Sequence, residues 1–197
     1  KYFIHDIDTY KIIFIDGKYS SHLSQTTHDG IDVCLMSSAL NKPKYQLIIE
    51  NYFNKAATKD SLSSLNTAFS SEGAYIHIPK NKIVRNPIQI IHFSTVNESA
   101  TMLQPRNLVV VEENSHVQIL ERHQSLTSNP VLTNSVTQVF ANRHEKEDIY
   151  KLQNDQNSPT WIDNTFIQQQ SDTIRTVQTI SFGVNITRNT LNLFQTG

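Results

Sequence analysis

Eight histidines, two acidic clusters and one cysteine are the residues of this 197-residue chain best suited to hold a metal or move a proton. His5, His22, His28, His77, His92, His116, His123 and His144 never form His-x-His or His-x-x-x-His and never pair with the cysteine, so no local metal motif exists. His116 and His123 stand seven apart across a strand pattern, a spacing that leaves them either neighbours or on opposite faces. Glu121-Arg122-His123 sets a carboxylate beside an imidazole at a strand end. Surface or corner positions are the expectation for the histidines as a set. Glu112-Glu113 and Glu145/Glu147/Asp148 are the acidic clusters. Adjacent strand residues point opposite ways, so neither cluster aims two carboxylates at one bond, and a solvated corner accounts for each. Cys34, within Asp32-Val33-Cys34-Leu35-Met36, is expected as a small core residue of a strand. A single cysteine excludes an internal disulfide and a cysteine-held cluster supplied by this chain alone. Five glycines build neither G-x-x-x-x-G-K-[ST] nor G-x-G-x-x-G, and no G-x-S-x-G elbow is present. The chain is therefore expected not to be an enzyme, and no catalytic, cofactor-binding or metal residue is assigned.

The totals narrow the partners. A net charge of −1 supplies no basic field for nucleic acid or a membrane surface. No apolar run approaches the roughly 18 residues of a membrane span and no signal peptide is present, which makes the cytoplasm the default compartment. The chain starts at Lys1 and stops at Gly197 directly after a strand pattern, so both ends are expected to be cuts in a longer protein. Asn97-Glu98-Ser99 and Asn185-Ile186-Thr187 match the glycosylation triplet, as an Asn-, Ser- and Thr-rich chain does by chance.

The elements that must carry these residues change character along the chain. Residues 11–15 read as a strand, Asp16-Gly17 as a tight turn and Lys18-Tyr19 as its return. Asp29-Gly30 precedes a second strand over residues 31–35. Helical spacing follows Pro43, and Asp60 caps a further helix with Leu62, Leu65, Ala68 and Phe69 on one face and Gly73 placed to stop it. Residues 1–72 are thus an N-terminal α/β lead-in, and residues 73–197 a mainly β body. Residues 75–79 and 88–93 read as strands around an Asn81-Lys82 corner. Residues 108–111 and 117–120 are apolar runs separated by Glu112-Glu113-Asn114-Ser115, the first with the valines of a strand buried on both faces. Strand candidates then begin near Val136, Ile149, Ile162, Ile174 and Ile186, at steps of 13, 13, 12 and 12. The corners between them fall at residues 142–145, 154–157, 169–172 and Gly183. An antiparallel sandwich and a β-solenoid with about 25 residues per coil both produce such a step. No Asn-Gly or Asp-Gly follows Gly30, and stacked Asn, Gln, Ser and Thr suit coils better than hairpins, which favours the solenoid.

Pro105-Arg106-Asn107-Leu108-Val109-Val110-Val111, followed by Glu112-Glu113-Asn114-Ser115 and residues 117–121, resembles the SufB/SufD family of iron–sulfur cluster assembly proteins. Leu65-Asn66-Thr67-Ala68-Phe69 with Gly73 and Ile76-His77-Ile78-Pro79-Lys80 is similar to the same family. So are Phe14-Ile15-Asp16-Gly17-Lys18-Tyr19, Asn86-Pro87-Ile88-Gln89 and Arg188-Asn189-Thr190-Leu191-Asn192. The likeness stays in register over residues 10–196, and its Leu-Asn-Thr-Ala-Phe element resembles the SufD branch. The resemblance implies a right-handed parallel β-helix behind the lead-in. It implies a non-catalytic scaffold subunit of a SufBCD-type complex, pairing with a SufB-like paralogue and a SufC-like ATPase. The family's cluster-related Cys and His lie in the C-terminal part of the β-helix, and its ATPase-docking helices lie further on. Both fall beyond Gly197, so no residue here receives those roles. No cofactor is expected on this chain, and a cluster only transiently on the complete complex. A last coil without a successor leaves free N–H and C=O groups, so a homodimer or capping by a neighbour is expected there. The alternative is a solenoid polysaccharide-binding protein or lyase, motivated only by the 13-residue step. A solenoid with a purely structural role is a third reading.

Overall fold

The computed structural model describes residues 8–26, 30–53, 60–70, 72–95, 99–142, 146–154, 159–170, 174–183 and 185–196. His5, His28 and His144, most of the three corners expected after Ala141, and the Asn97 triplet lie outside the described residues. In chain order the elements are β1 (Tyr10–Ile15), β2 (Lys18–Tyr19), β3 (Asp32–Leu35), α1 (Met36–Leu40), α2 (Pro43–Tyr52), α3 (Ser61–Phe69), β4 (Ala74–Ile78), β5 (Ile88–Ser94), β6 (Thr101–Leu103), β7 (Arg106–Val111), β8 (His116–Ser125), β9 (Val131–Ala141), β10 (Lys146–Asn154), β11 (Thr160–Gln170), β12 (Ile174–Phe182) and β13 (Ile186–Thr196).

The strands build a parallel β-solenoid of two facing sheets. The first runs β12-β10-β8-β5-β1-β2, and the second runs β13-β11-β9-β7-β4-β3 with β6 beside β9. From β7 onward successive strands alternate between the sheets, so each pairs in parallel with the strand one coil away. A sandwich of hairpins is excluded: among the described strands only β1–β2 and β3–β4 are antiparallel, at the N-terminal end. The five strand candidates after residue 130 fall one each in β9 to β13. The coils are longer than the expected 25 residues, however. Tyr75 pairs with Leu108, Arg106 with Val136, Leu132 with Thr160 and Thr160 with Ile186, giving coils of 33, 30, 28 and 26 residues. Apolar landmarks mark where a strand is buried, and ladder partners mark the true repeat.

Inward side chains stack in columns. Ile88, Ile119, Ile149 and Val177 form one in the first sheet, and Ile76, Val109, Val139 and Ile167 face them from the second. The outer face of the second sheet is covered as well. Met36, Ala39, Tyr45 and Ile49 of α1 and α2 pack on Tyr75, Leu108, Val110, Val136, Phe140 and Phe166. This is why β7 is buried along its whole length and its residues 108–111 read as an unbroken apolar run. At one corner Asn81 and Asn114 both adopt positive φ, 62° and 57°, which their short polar side chains tolerate. The Asn114 amide donates to Asn81 Oδ1 at 3.1 Å, an instance of the expected coil-to-coil polar stacking. At the other end Leu191 and Leu193 continue inward columns in the last described strand and are 54% and 56% exposed.

Two local expectations are corrected. Asp60 caps α3 by accepting from Ser63 N at 3.0 Å, but the buried face of that helix is Ser63 and Asn66, while Phe69 is 62% exposed. Asn66 docks the helix: its amide donates to the Pro105 and Asn134 carbonyls at 3.0 and 2.8 Å and accepts from Arg106 Nη1 at 3.0 Å. Asn134 reciprocates by donating to the Leu62 carbonyl at 2.8 Å. A polar side chain used this fully docks as well as an apolar one. Gly73 does not stop the helix, which ends at Phe69 with Ser70 as its cap. Its role is close approach, because a Cβ there would sit 1.8 Å from the Arg106 carbonyl oxygen. Gly73→Ala forces apart two backbones, so a loss beyond about 3 kcal/mol, the upper end of ordinary overpacking, is expected in urea unfolding. A loss below about 1 kcal/mol contradicts the assigned contact.

A charged core as the candidate functional site

The inward columns change from apolar to polar along the solenoid. In the first sheet Ile12 and Ile90 are followed by Glu121 and then Lys151, and Phe14 by His92, His123 and Gln153. In the second sheet Asn107, Thr137 and Thr165 share a column beside Ser135 and Asp163. All of these except Phe14, Ile12 and Ile90 are polar, and all are buried.

Lys151 is the centre of the cluster. Its ammonium lies 3.1 Å from Glu121 Oε2 and 2.7 Å from Asp163 Oδ1, and it donates to Thr137 Oγ1 at 3.2 Å. Thr137 donates to Glu121 Oε2 at 2.9 Å, and Asn107 Nδ2 donates to Glu121 Oε1 at 3.3 Å. Ser135 and Thr165 hydroxyls donate to Asp163 at 2.7 and 3.0 Å. His123 Nε2 donates to Glu121 Oε1 at 2.9 Å. The His123 ring stacks on His92 at 4.7 Å with planes 7° apart, and His92 stacks on Phe14 at 4.8 Å. Burial works against the charge on Lys151, yet Asp163 and Glu121 hold its pKa above the usual lysine value. Burial likewise opposes ionisation of Glu121, but Lys151 and His123 hold its pKa well below the carboxylate range. Both groups are therefore charged at neutral pH. Burial, aided by His123 and Lys151, drives His92 down to about 3, so that imidazole is neutral. A lysine kept protonated is no nucleophile. The cluster joins the two sheets rather than presenting a reactive group.

A second buried pair lies toward the C-terminal coil. Glu147 is fully buried, and Arg175 Nη2 comes within 2.9 Å of its Oε2 as a charge contact without an aligned hydrogen bond. Burial raises the Glu147 pKa to about 7; Arg175 opposes the rise and Asp148 adds to it. Outside the solenoid interior the buried His77 joins Asp32 (3.3 Å) to Glu112 (2.9 Å), and Lys44 also reaches Asp32 at 2.9 Å. Burial raises the Asp32 pKa, but bonds from Lys44, Tyr45 and His77 outweigh it and leave the carboxyl below its usual value. This cluster ties β3, β4 and the end of β7 together.

The structure redistributes the residues singled out from the sequence. Glu121 and His123 do meet, but in the interior and not at a corner. His116 points to the opposite face of β8, half-buried and 3.9 Å from Asp148. His77 and His92 are buried rather than superficial. Glu147 and Asp148 are buried within β10 instead of forming a solvated corner, although they do point opposite ways. Glu112-Glu113 stays at the end of β7, partly exposed as expected. Cys34 sits half-buried in β3, where burial pushes its thiol up and leaves it poorly reactive. Lys151, Asp163, Thr137 and Asn107 escaped notice. Their signal is parity: Val117-x-Ile119-x-Glu121-x-His123 and Glu147-x-Ile149-x-Lys151 carry the apolar alternation straight into charged residues. Among the described residues His92, Glu121 and His123 are the group whose ligand atoms converge, one nitrogen from each ring and one carboxylate oxygen lying within 4.8 Å of each other.

Lys151→Met strips two buried carboxylates of their counter-ion, so a loss of about 3–5 kcal/mol is expected by chemical denaturation. Full stability in that variant contradicts the charge assignment. Glu147 sets a pH dependence of opposite sign to an ordinary ion-paired carboxylate. Its folded pKa of about 7 lies above the 4.5 of an unperturbed glutamate, so its contribution is complete below pH 4.5 and is lost as pH rises through 7. Wild type minus Glu147→Gln should therefore fall by about 3 kcal/mol across that window in unfolding free energies measured from pH 4 to 8. A flat difference contradicts it.

Two family models tile the chain: the SufBD protein N-terminal region matches residues 3–90, and the SUF system FeS cluster assembly SufBD core domain matches residues 91–197. An iron–sulfur cluster assembly SufBD family protein of Synechocystis is 27% identical over 195 residues, covering 94% of this chain and 43% of its own length. A chloroplastic SufBD family protein of Arabidopsis thaliana is 31% identical over 117 residues, 55% of this chain and 20% of the relative. SufD of Bacillus subtilis is 34% identical over 86 residues, 42% of this chain and 19% of the relative. The chain spans less than half the length of these curated relatives. With a parallel solenoid behind an N-terminal region and both family models in sequence along it, the chain belongs to the SufBD family of iron–sulfur cluster assembly proteins.

Proposed function

We propose that this chain is part of a non-catalytic scaffold subunit, SufD-like, of a SufBCD-type complex on which iron–sulfur clusters are assembled and passed on. The observation that carries this reading is the match of both SufBD family models across residues 3–197. The interior supports it. Lys151 bridges Glu121 and Asp163 out of reach of solvent, which suits a rigid support more than a turnover site. The SufD branch draws on the Leu65-Asn66-Thr67-Ala68-Phe69 element, whose Asn66 docks α3 on the solenoid, and on the likeness to the Bacillus SufD. A polysaccharide lyase would need charged residues converging on one outer sheet face, whereas here the strongest convergence is internal.

In this reading a SufB-like paralogue and a SufC-like ATPase are the partners, and the ATPase supplies the nucleotide chemistry. A homodimer formed by strand addition belongs to the same reading. The cytoplasm is the compartment carried with this reading, while one relative is chloroplastic. Among the described residues no helix is long and apolar enough to cross a membrane. Co-expression of the full-length protein with SufB-like and SufC-like partners is expected to give one co-purifying complex, and its deletion to lower the activity of cluster-dependent enzymes. Separate elution of all three with no effect of deletion overturns the assignment.

A further inference from the structure

We propose that His92, Glu121 and His123 form a buried holding site for a divalent first-row transition cation. Three features of the cluster point to it. The ligand set is two imidazoles and one carboxylate, a combination that takes such ions while leaving positions open for water or another donor. Glu121 Oε1 and His123 Nε2 are 2.9 Å apart, the separation two donors have on one ion, and one ligand atom each from His92, Glu121 and His123 lie within 4.8 Å of one another. One buried ring nitrogen of the set, His92 Nε2, has no hydrogen-bond partner, an unusual state for a buried polar atom.

The surroundings supply what such a site needs beyond its ligands. Glu121 is oriented by Asn107, Thr137 and Lys151, and the Lys151 charge is balanced on its far side by Asp163. A cavity of about 220 Å³ reaches His92 from the surface. It is lined by Asp16, Glu72, Gln104 and the half-exposed Met102, so a cation enters past two carboxylates. The cation takes the place of the proton that His123 shares with Glu121. Parallel imidazoles do not aim their lone pairs at one point, so one ring must turn about its Cβ–Cγ bond. His92 is the ring of the two that borders the cavity. Iron is the ion of interest only if the assembly reading above holds; the site itself does not depend on that reading.

The test is anaerobic titration of the purified chain with Co²⁺, followed by visible absorption and metal analysis. One Co²⁺ per chain is expected, with hyperfine-shifted proton resonances from two imidazoles. His92→Phe extends the Phe14 stack and removes a ligand, so it should keep the fold and lose at least tenfold in Co²⁺ affinity. Absence of Co²⁺ binding, or binding unchanged in His92→Phe, or shifted resonances from fewer than two histidines in wild type, overturns the proposal. The spectrum of wild type decides the matter even where the variant fails to fold. Partner co-purification is a separate measurement: its failure with Co²⁺ binding intact removes the assembly reading alone.

Discussion

A solenoid interior holds no bulk water, so each polar side chain turned inward must find its partner one coil away or on the facing sheet. That constraint organises this molecule. Lys151 is in register with Glu121 on the neighbouring coil and touches Asp163 across the interior. Desolvating three charges costs several kcal/mol for each ion, and the arrangement survives because one ammonium serves two carboxylates whose remaining oxygens take hydroxyl and amide donors. Register therefore carries the electrostatics: a slip of one residue in β10 would turn Lys151 outward and leave Glu121 and Asp163 facing each other unpaired.

The same economy of partners holds the N-terminal helices on the solenoid. Asn66 and Asn134 exchange amide donors with the backbone of each other's elements, and Arg106, stacked under Phe53, is fixed by Asn66 and Gln138. Gly73 lets the incoming chain pass against Arg106 closely enough for that exchange. The helices cover the outer face of the second sheet, so the solenoid wall between interior and surface is apolar on both sides of β7.

Much of this architecture was legible in the residues. The valine run at 108–111, the five strand steps after residue 130 and the absence of hairpin dipeptides point to a coil, and the strands fall where they were placed. The identity of the inward residues was less legible. Charged residues are ordinarily exposed, so Glu147 reads as part of a solvated corner and Lys151 draws no notice, even though both continue the parity of Ile149. Only a partner from another coil makes them tolerable inside, and a linear reading does not display pairs about 30 residues apart such as Glu121 and Lys151. The α3 face failed for the same reason: Asn66 is buried because backbone carbonyls 39 and 68 residues away receive its protons.

The two sheets of the solenoid are joined through a buried ionic core. A double-mutant cycle between Glu121 and Lys151, using Glu121→Gln and Lys151→Met with unfolding free energies from urea denaturation, tests that claim most directly. The account expects a coupling of about 2–3 kcal/mol, as for neighbours in one buried network. A coupling below about 0.5 kcal/mol, the scale of independent sites, would contradict it.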